Sequence, residues 1–288
     1  MPRTDPRTWP LPVATGLVLL GFSANSLLGR AALVGGHADP ATFAFVRMAS
    51  GALALGLLMG ADRASLREAL HPGRGLSLAV YVLAFTFAYR SLTAGTGALL
   101  LFGAVQAALL ILATLHGEAL RGRRALGALL AFAGLLTFGL PTAARPPLGA
   151  ALGMALAGGA WGVYTWLGRG TTHPVRDTGG AFGLAALLVL PFLAWPGLRI
   201  CDGTGWALGL GSGILASGAT YALWYTVVPR LGAARAAVVQ MAVPPLTAGL
   251  GALGLREWPA PVWFLAAILT LGGITLATTS GSRSRARA

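Results

Sequence analysis

Ten apolar runs of about 17 to 24 residues follow one another along this chain, at approximately 11–34, 41–59, 75–92, 96–117, 125–142, 148–168, 179–195, 206–228, 234–254 and 260–279. Each can cross a bilayer as a helix, and no single water-soluble core of a 288-residue chain could hide them all. Composition agrees: 56% of the residues are hydrophobic and 10% charged, with a mean hydropathy of +0.73. The expected fold is an all-α integral membrane protein of ten transmembrane helices. The first run follows Arg3 and Arg7 and exceeds the length of a signal-peptide core, so it is expected to persist as an uncleaved helix.

The chain also repeats itself. Sliding 92–135 over 231–274 at an offset of 139 gives nine identities, among them Glu118/Glu257, and the chain has only three Glu. Leu28-Gly29-Arg30 returns as Leu167-Gly168-Arg169, and at an offset of 140 Ser77, Tyr81, Leu83, Thr86 and Arg90 return as Ser217, Tyr221, Leu223, Thr226 and Arg230. Two repeats are expected, residues 1–143 and 144–288, with five spans each. An odd number of crossings delivers the second copy upside down, so the halves are expected to be inverted about an axis in the membrane plane.

All 21 basic residues are Arg and the net charge is +13. Alternate loops divide them fifteen to five, with Arg47 left inside the second span. That asymmetry places both termini in the cytoplasm. It also gives the charge a membrane explanation, so no nucleic-acid partner is expected. The single Cys201 forms no intrachain disulfide. His37, His71, His116 and His173 sit at loops without metal-ligand spacing, and no cofactor or metal is expected. The chain is read as no enzyme: the best serine, Ser217, has no His in any span to activate it. No span holds Asp or Glu near its centre, which leans against proton-driven transport and toward a facilitator or exchanger.

Polar and aromatic residues recur at matched depths. Phe22 and Asn25 in the first span answer Trp161 and Tyr164 in the sixth. Ser77, Tyr81, Phe85 and Tyr89 share one helical face of the third, answered by Ser217, Tyr221 and Tyr225 in the eighth. Tyr89 and Tyr225 fit an interfacial belt; the central ones fit either ordinary core or a cavity that satisfies their polar tips. Small residues at every fourth place, Gly205, Gly209, Gly213 and Ser217, mark a close helix contact. The ninth span carries Gln240-Met241-Ala242-Val243-Pro244-Pro245. The two proline rings deprive carbonyls one turn earlier of partners, so a helix break is expected at mid-depth, as a substrate site or as a packing kink. Its counterpart in the fourth span offers Val105-Gln106 instead. Arg30 with Glu257 at one end and Arg169 with Glu118 at the other are either symmetric gate latches or four independent interfacial residues.

The five-span repeat, the helix ending Leu255-Arg256-Glu257 before a last span with Gly272-Gly273, and the run from Ala236 to Pro245 together resemble the drug/metabolite transporter superfamily in its ten-helix EamA-type branch. Within it the chain is most similar to YddG-type exporters of aromatic and other amino acids. Two places depart from the pattern: Arg256 where the first half has Gly117, and Val105-Gln106 where a proline is usual. The resemblance implies a central cavity open to each side in turn. The reading is a monomeric secondary transporter of amino acids and related amphipathic metabolites. Its expected substrate-binding residues are Phe22, Asn25, Tyr81, Phe85, Phe102, Gln106, Trp161, Tyr164, Ser217, Tyr221 and Gln240. Aromatic walls without a buried charge would make selectivity loose. The alternatives are a carrier of lipid-linked or nucleotide-linked sugars and a non-transporting membrane scaffold.

Overall fold

The computed structural model describes residues 9–59, 69–117, 122–139, 147–194, 201–258 and 262–279. Most of these residues are helical, and no strand is found among them. In chain order the helices are α1 (Leu11–Val34), α2 (Pro40–Met59), α3 (Pro72–Tyr89), α4 (Ala94–Leu115), α5 (Arg123–Gly139), α6 (Leu148–Gly168) and α7 (Pro174–Val189), which runs into a short 3₁₀ turn over Leu190–Ala194. A long rod, α8, covers 203–231 in three continuous pieces, the middle one, Ser212–Ala219, being a π-helix. Next comes α9, in two halves, α9a (Ala233–Gln240) and α9b (Val243–Gly254), and then α10 (Val262–Thr279).

By length and apolarity, four stretches among the described residues qualify outright as membrane-crossing: Leu11–Val34, Pro40–Leu58, Leu148–Gly168 and Pro174–Ala194. Leucines such as Leu53, Leu57, Leu152 and Leu187 stand exposed on the outside of the bundle, as a bilayer allows and water does not. The helices α3 and α7 begin earlier than hydropathy suggested, at Pro72 and Pro174. Both open on His-Pro, where proline fits the first helical turn because no intrahelical N–H is owed there.

The packing has a centre and two flanks. The main core draws on α1 to α4 and α6 to α9, and α5 and α10 pair with each other at one edge. On the other side α2 lies along α7. Between these flanks α3 packs along α6, and α1 packs along the whole length of α8.

Candidate functional site

Where α1, α3, α4, α6 and α8 converge, Phe22, Asn25, Ser26, Tyr81, Phe85, Leu101, Phe102, Trp161 and Tyr221 line a cavity of about 10 Å³. That is room for about one water, so the substrate-sized opening expected from sequence is shut in this conformation. Aromatic rings fill the seam. Phe22 meets Trp161 edge-on at 5.4 Å and Trp224 at 5.6 Å, and Trp161 lies 4.4 Å from Tyr221. Tyr164 lies one turn further along α6, 5.2 Å from Trp161.

The polar side of the seam is a network around Arg47, which is fully buried in α2. Its Nε donates to Ser217 Oγ at 2.8 Å, and its Nη2 donates to the hydroxyls of Tyr81 at 3.1 Å and Tyr221 at 2.6 Å. The guanidinium also sits 5.2 Å from the Tyr81 ring centre and 5.0 Å from that of Phe85. Asn25 closes the network: its amide donates to Tyr81 Oη at 3.2 Å, while its oxygen accepts from Ser212 at 2.8 Å and Ser217 at 3.3 Å. The expectation of a site without a buried charge is therefore wrong. The signal for it in the sequence is a cation inside the apolar run of the second span. Hydrogen bonds to a charged group contribute roughly 1.5–3 kcal/mol each, enough for three to outweigh the ~2.5–3.5 kcal/mol insertion cost of a mid-bilayer Arg. Hydroxyls hold the cation but do not neutralise it.

Local sequence explains how these groups meet. Along α8 a Cβ on Gly205 would come within 2.1 Å of the His37 carbonyl, and one on Gly213 within 2.0 Å of Ser50 Oγ and 2.3 Å of the Arg47 carbonyl. The small-residue stripe is thus where α8 touches α2, and it brings Ser217 under Arg47. Ser212 and Ser217, five apart, would face different ways on an α-helix. The π-helical turn, with its i to i+5 bonds, stacks them onto the same Asn25. Nothing in the sequence announces that turn.

The other expected residues distribute as follows. Ser77 bonds its own α3 backbone at Gly73. Gln106 is buried on α4, one turn beyond Phe102. Gln240, also buried, ends α9a and has no hydrogen-bond partner among the described residues. The helix is interrupted at Met241 and Ala242, whose amides bond back three residues to Val238 and Val239 at 3.0 and 3.1 Å, and Pro244 and Pro245 start α9b. Tyr89 and Tyr225 lie inside the bundle, fully buried, rather than in an interfacial belt. Each finds a backbone carbonyl, Tyr225 that of Tyr164 at 3.1 Å.

Ion pairs pin both ends of the seam. At one end Arg30 Nε meets Glu257 Oε1 at 3.0 Å, Arg30 Nη1 donates to the Tyr89 carbonyl at 3.1 Å, and Glu257 Oε2 accepts from Ala94 N at 2.9 Å. The pair therefore also satisfies backbone groups left over where α3 ends and α4 begins. At this end, too, the His37 ring and the Gly205 amide hold the Asp202 carboxyl below the usual range. At the opposite end Arg74 meets Asp177 at 2.8 Å and donates to the Leu167 carbonyl at 3.2 Å; Thr171 and Arg176 also bond Asp177. Arg169 lies over the Trp166 ring, 3.2 Å from its centre, and Glu118 falls outside the described residues. The sequence did not single out Arg74 and Asp177.

Comparison with known proteins adds a family. Residues 148–279 match the EamA-like transporter family. The chain is 48% identical over 274 residues to the uncharacterized protein PA1977 of Pseudomonas aeruginosa, covering 94% of each chain. A crystal structure of a protein 22% identical in sequence has the same fold, with a TM-score of 0.74 over 95% of this chain and 100% of that one.

Proposed function

We propose, from the premise that the chain belongs to the EamA-like transporter family, that it moves amino acids and related small amphipathic metabolites by alternating access. Aromatic amino acids are included, as for YddG-type exporters. On this reading the protein works as a monomer in a bacterial inner membrane, termini inside, and 1–143 and 144–288 are inverted repeats that rock against each other. The observation that carries the reading is the seam itself: side chains equivalent under the repeat meet there. The hydroxyls of Tyr221 and Tyr81 lie 3.1 Å apart, and Phe22 touches Trp161. Equivalent residues can touch only close to the axis that relates them. Gly29 against Phe85 and Gly168 against Tyr225, and α3 on α6 against α8 on α1, support the same symmetry.

The seam offers aromatic faces for a side chain and hydrogen-bonding groups for its polar end, at the depth where inverted-repeat carriers hold substrate. With ion pairs at both ends, the conformation fits an occluded state. Opening requires one end to release at a time, Arg30–Glu257 on the periplasmic side and Arg74–Asp177 on the cytoplasmic side. Proteoliposomes test this directly. Purified protein should exchange labelled phenylalanine against an internal load without a pH gradient, and Trp161→Ala should cut that exchange about tenfold or more while the protein remains monodisperse. Absence of exchange with any amino acid would end the reading; a strict proton requirement would end its facilitator form.

A further inference from the structure

A cation with only neutral partners stands directly behind the polar wall of the seam. Among the described residues Arg47 has no acidic partner, and its Nη1 is buried without a hydrogen bond. Tyr81 and Tyr221, whose hydroxyls accept from Arg47 Nη2, themselves line the cavity. The oxygen of Tyr81 accepts from Arg47 and Asn25, which uses both of its lone pairs, and the Tyr221 hydroxyl lies 3.1 Å away.

We propose that the site selects for an organic carboxylate: the carboxylate of the substrate is required, and an ammonium group on the same molecule is dispensable. This rests on the transporter reading above and narrows it. A charge in a low-dielectric interior acts across a side-chain layer, so Arg47 makes the cavity positive even when closed. A carboxylate entering as the seam opens neutralises it and finds an unused donor in Arg47 Nη1. An ammonium finds no buried acid: the buried carboxylates among the described residues, Asp39 and Asp177, lie at helix starts. Asp39 caps α2 through the amides of Ala41 and Thr42, and Asp177 is tied to Arg74. The apolar walls built by Phe22, Phe102 and Trp161 then take an aryl or branched body. A single guanidinium flanked by hydroxyls suits a monoanion better than a phosphate, whose second charge would go unmatched.

The test compares ligands before it compares variants. In exchange assays with labelled phenylalanine, phenylpyruvate should compete within a few-fold of phenylalanine, whereas phenylalaninamide and phenethylamine should be about tenfold weaker or worse. Thermal shifts of the detergent-solubilised protein should give the same order. Arg47→Gln should abolish that order by weakening the carboxylates alone, and Arg47→Lys should keep it in part. Equal competition by phenylalaninamide, or undiminished phenylalanine competition in Arg47→Gln, overturns the proposal, as does stronger stabilisation by uridine monophosphate than by any carboxylate. If Arg47→Gln does not fold, the ligand series on the unaltered protein still decides. If nothing is exchanged at all, the transport reading fails, and the thermal-shift order separately tests the preference for carboxylate.

Discussion

Gly117 and Arg256 stand 139 positions apart, at the point where the second half of the chain departs from the first. Both have left-handed backbone, φ 79° and 57°. Glycine adopts that region freely; an arginine there carries about 1–2 kcal/mol of strain. The turn is kept because it folds the Glu257 amide back to the Gly251 carbonyl, 3.2 Å away, and aims the carboxylate at Arg30 and Ala94. Arg256→Gly should relieve about 1 kcal/mol, read as a higher apparent melting temperature in detergent with the Arg30–Glu257 pair intact. A lower one would show that the Arg256 side chain has a role of its own. At the network, Tyr81→Phe and Tyr221→Phe each remove a hydroxyl that accepts from Arg47. Each should cost about 1.5–3 kcal/mol by chemical denaturation, with the two losses non-additive because both hydroxyls serve one nitrogen.

Among the helices, α8 and α9 carry the devices that a plain apolar rod lacks. The contact between α8 and α2 leaves no room for a side chain at Gly213. Gly213→Val should push the two helices apart, separate Ser217 from Arg47 and lower yield and melting temperature together. Gly16→Val, where a Cβ would meet nothing within 4 Å, is the matched control and should be close to neutral. In α9 the break at Met241–Ala242 sets α9b off from α9a. Replacing Pro244 and Pro245 with alanine restores the amides that a continuous helix needs, and removes rings that cost about 3 kcal/mol each in a helix interior. The double variant should melt no lower than the parent yet exchange substrate more slowly. Unchanged exchange would leave the break a packing kink.

For the whole molecule, aromatic rings fill the seam at mid-depth and ion pairs pin its two ends. The Arg30–Glu257 pair is partly exposed, at 14% and 23%, and such pairs contribute little to stability. On the alternating-access reading proposed above, its weight lies in the balance between conformations, where a small bias shifts populations. Glu257→Gln should therefore leave the melting temperature nearly unchanged. In the same variant, a cysteine placed at Leu101, on the cavity wall, should be labelled faster by an impermeant maleimide from the Arg30 side. The native Cys201 is buried, and burial pushes its thiol up to about 11, so it should react slowly; Cys201→Ser removes it from the background. Labelling unchanged by Glu257→Gln would assign the closing of that end to packing alone.

The sequence by itself determined where the helices run, which residues recur in the two halves, where prolines interrupt a span and where glycines allow close approach. These follow from hydropathy, periodicity and backbone chemistry within a few turns of chain. Only the tertiary structure decided what Arg47 touches, that Arg74 pairs with Asp177, and that a π-turn stacks two serines on Asn25. It also decided that the aromatic residues close down to space for one water. Those outcomes depend on the rotation and depth of helices more than a hundred residues apart. Packing of the whole bundle fixes both, and no local pattern encodes either one.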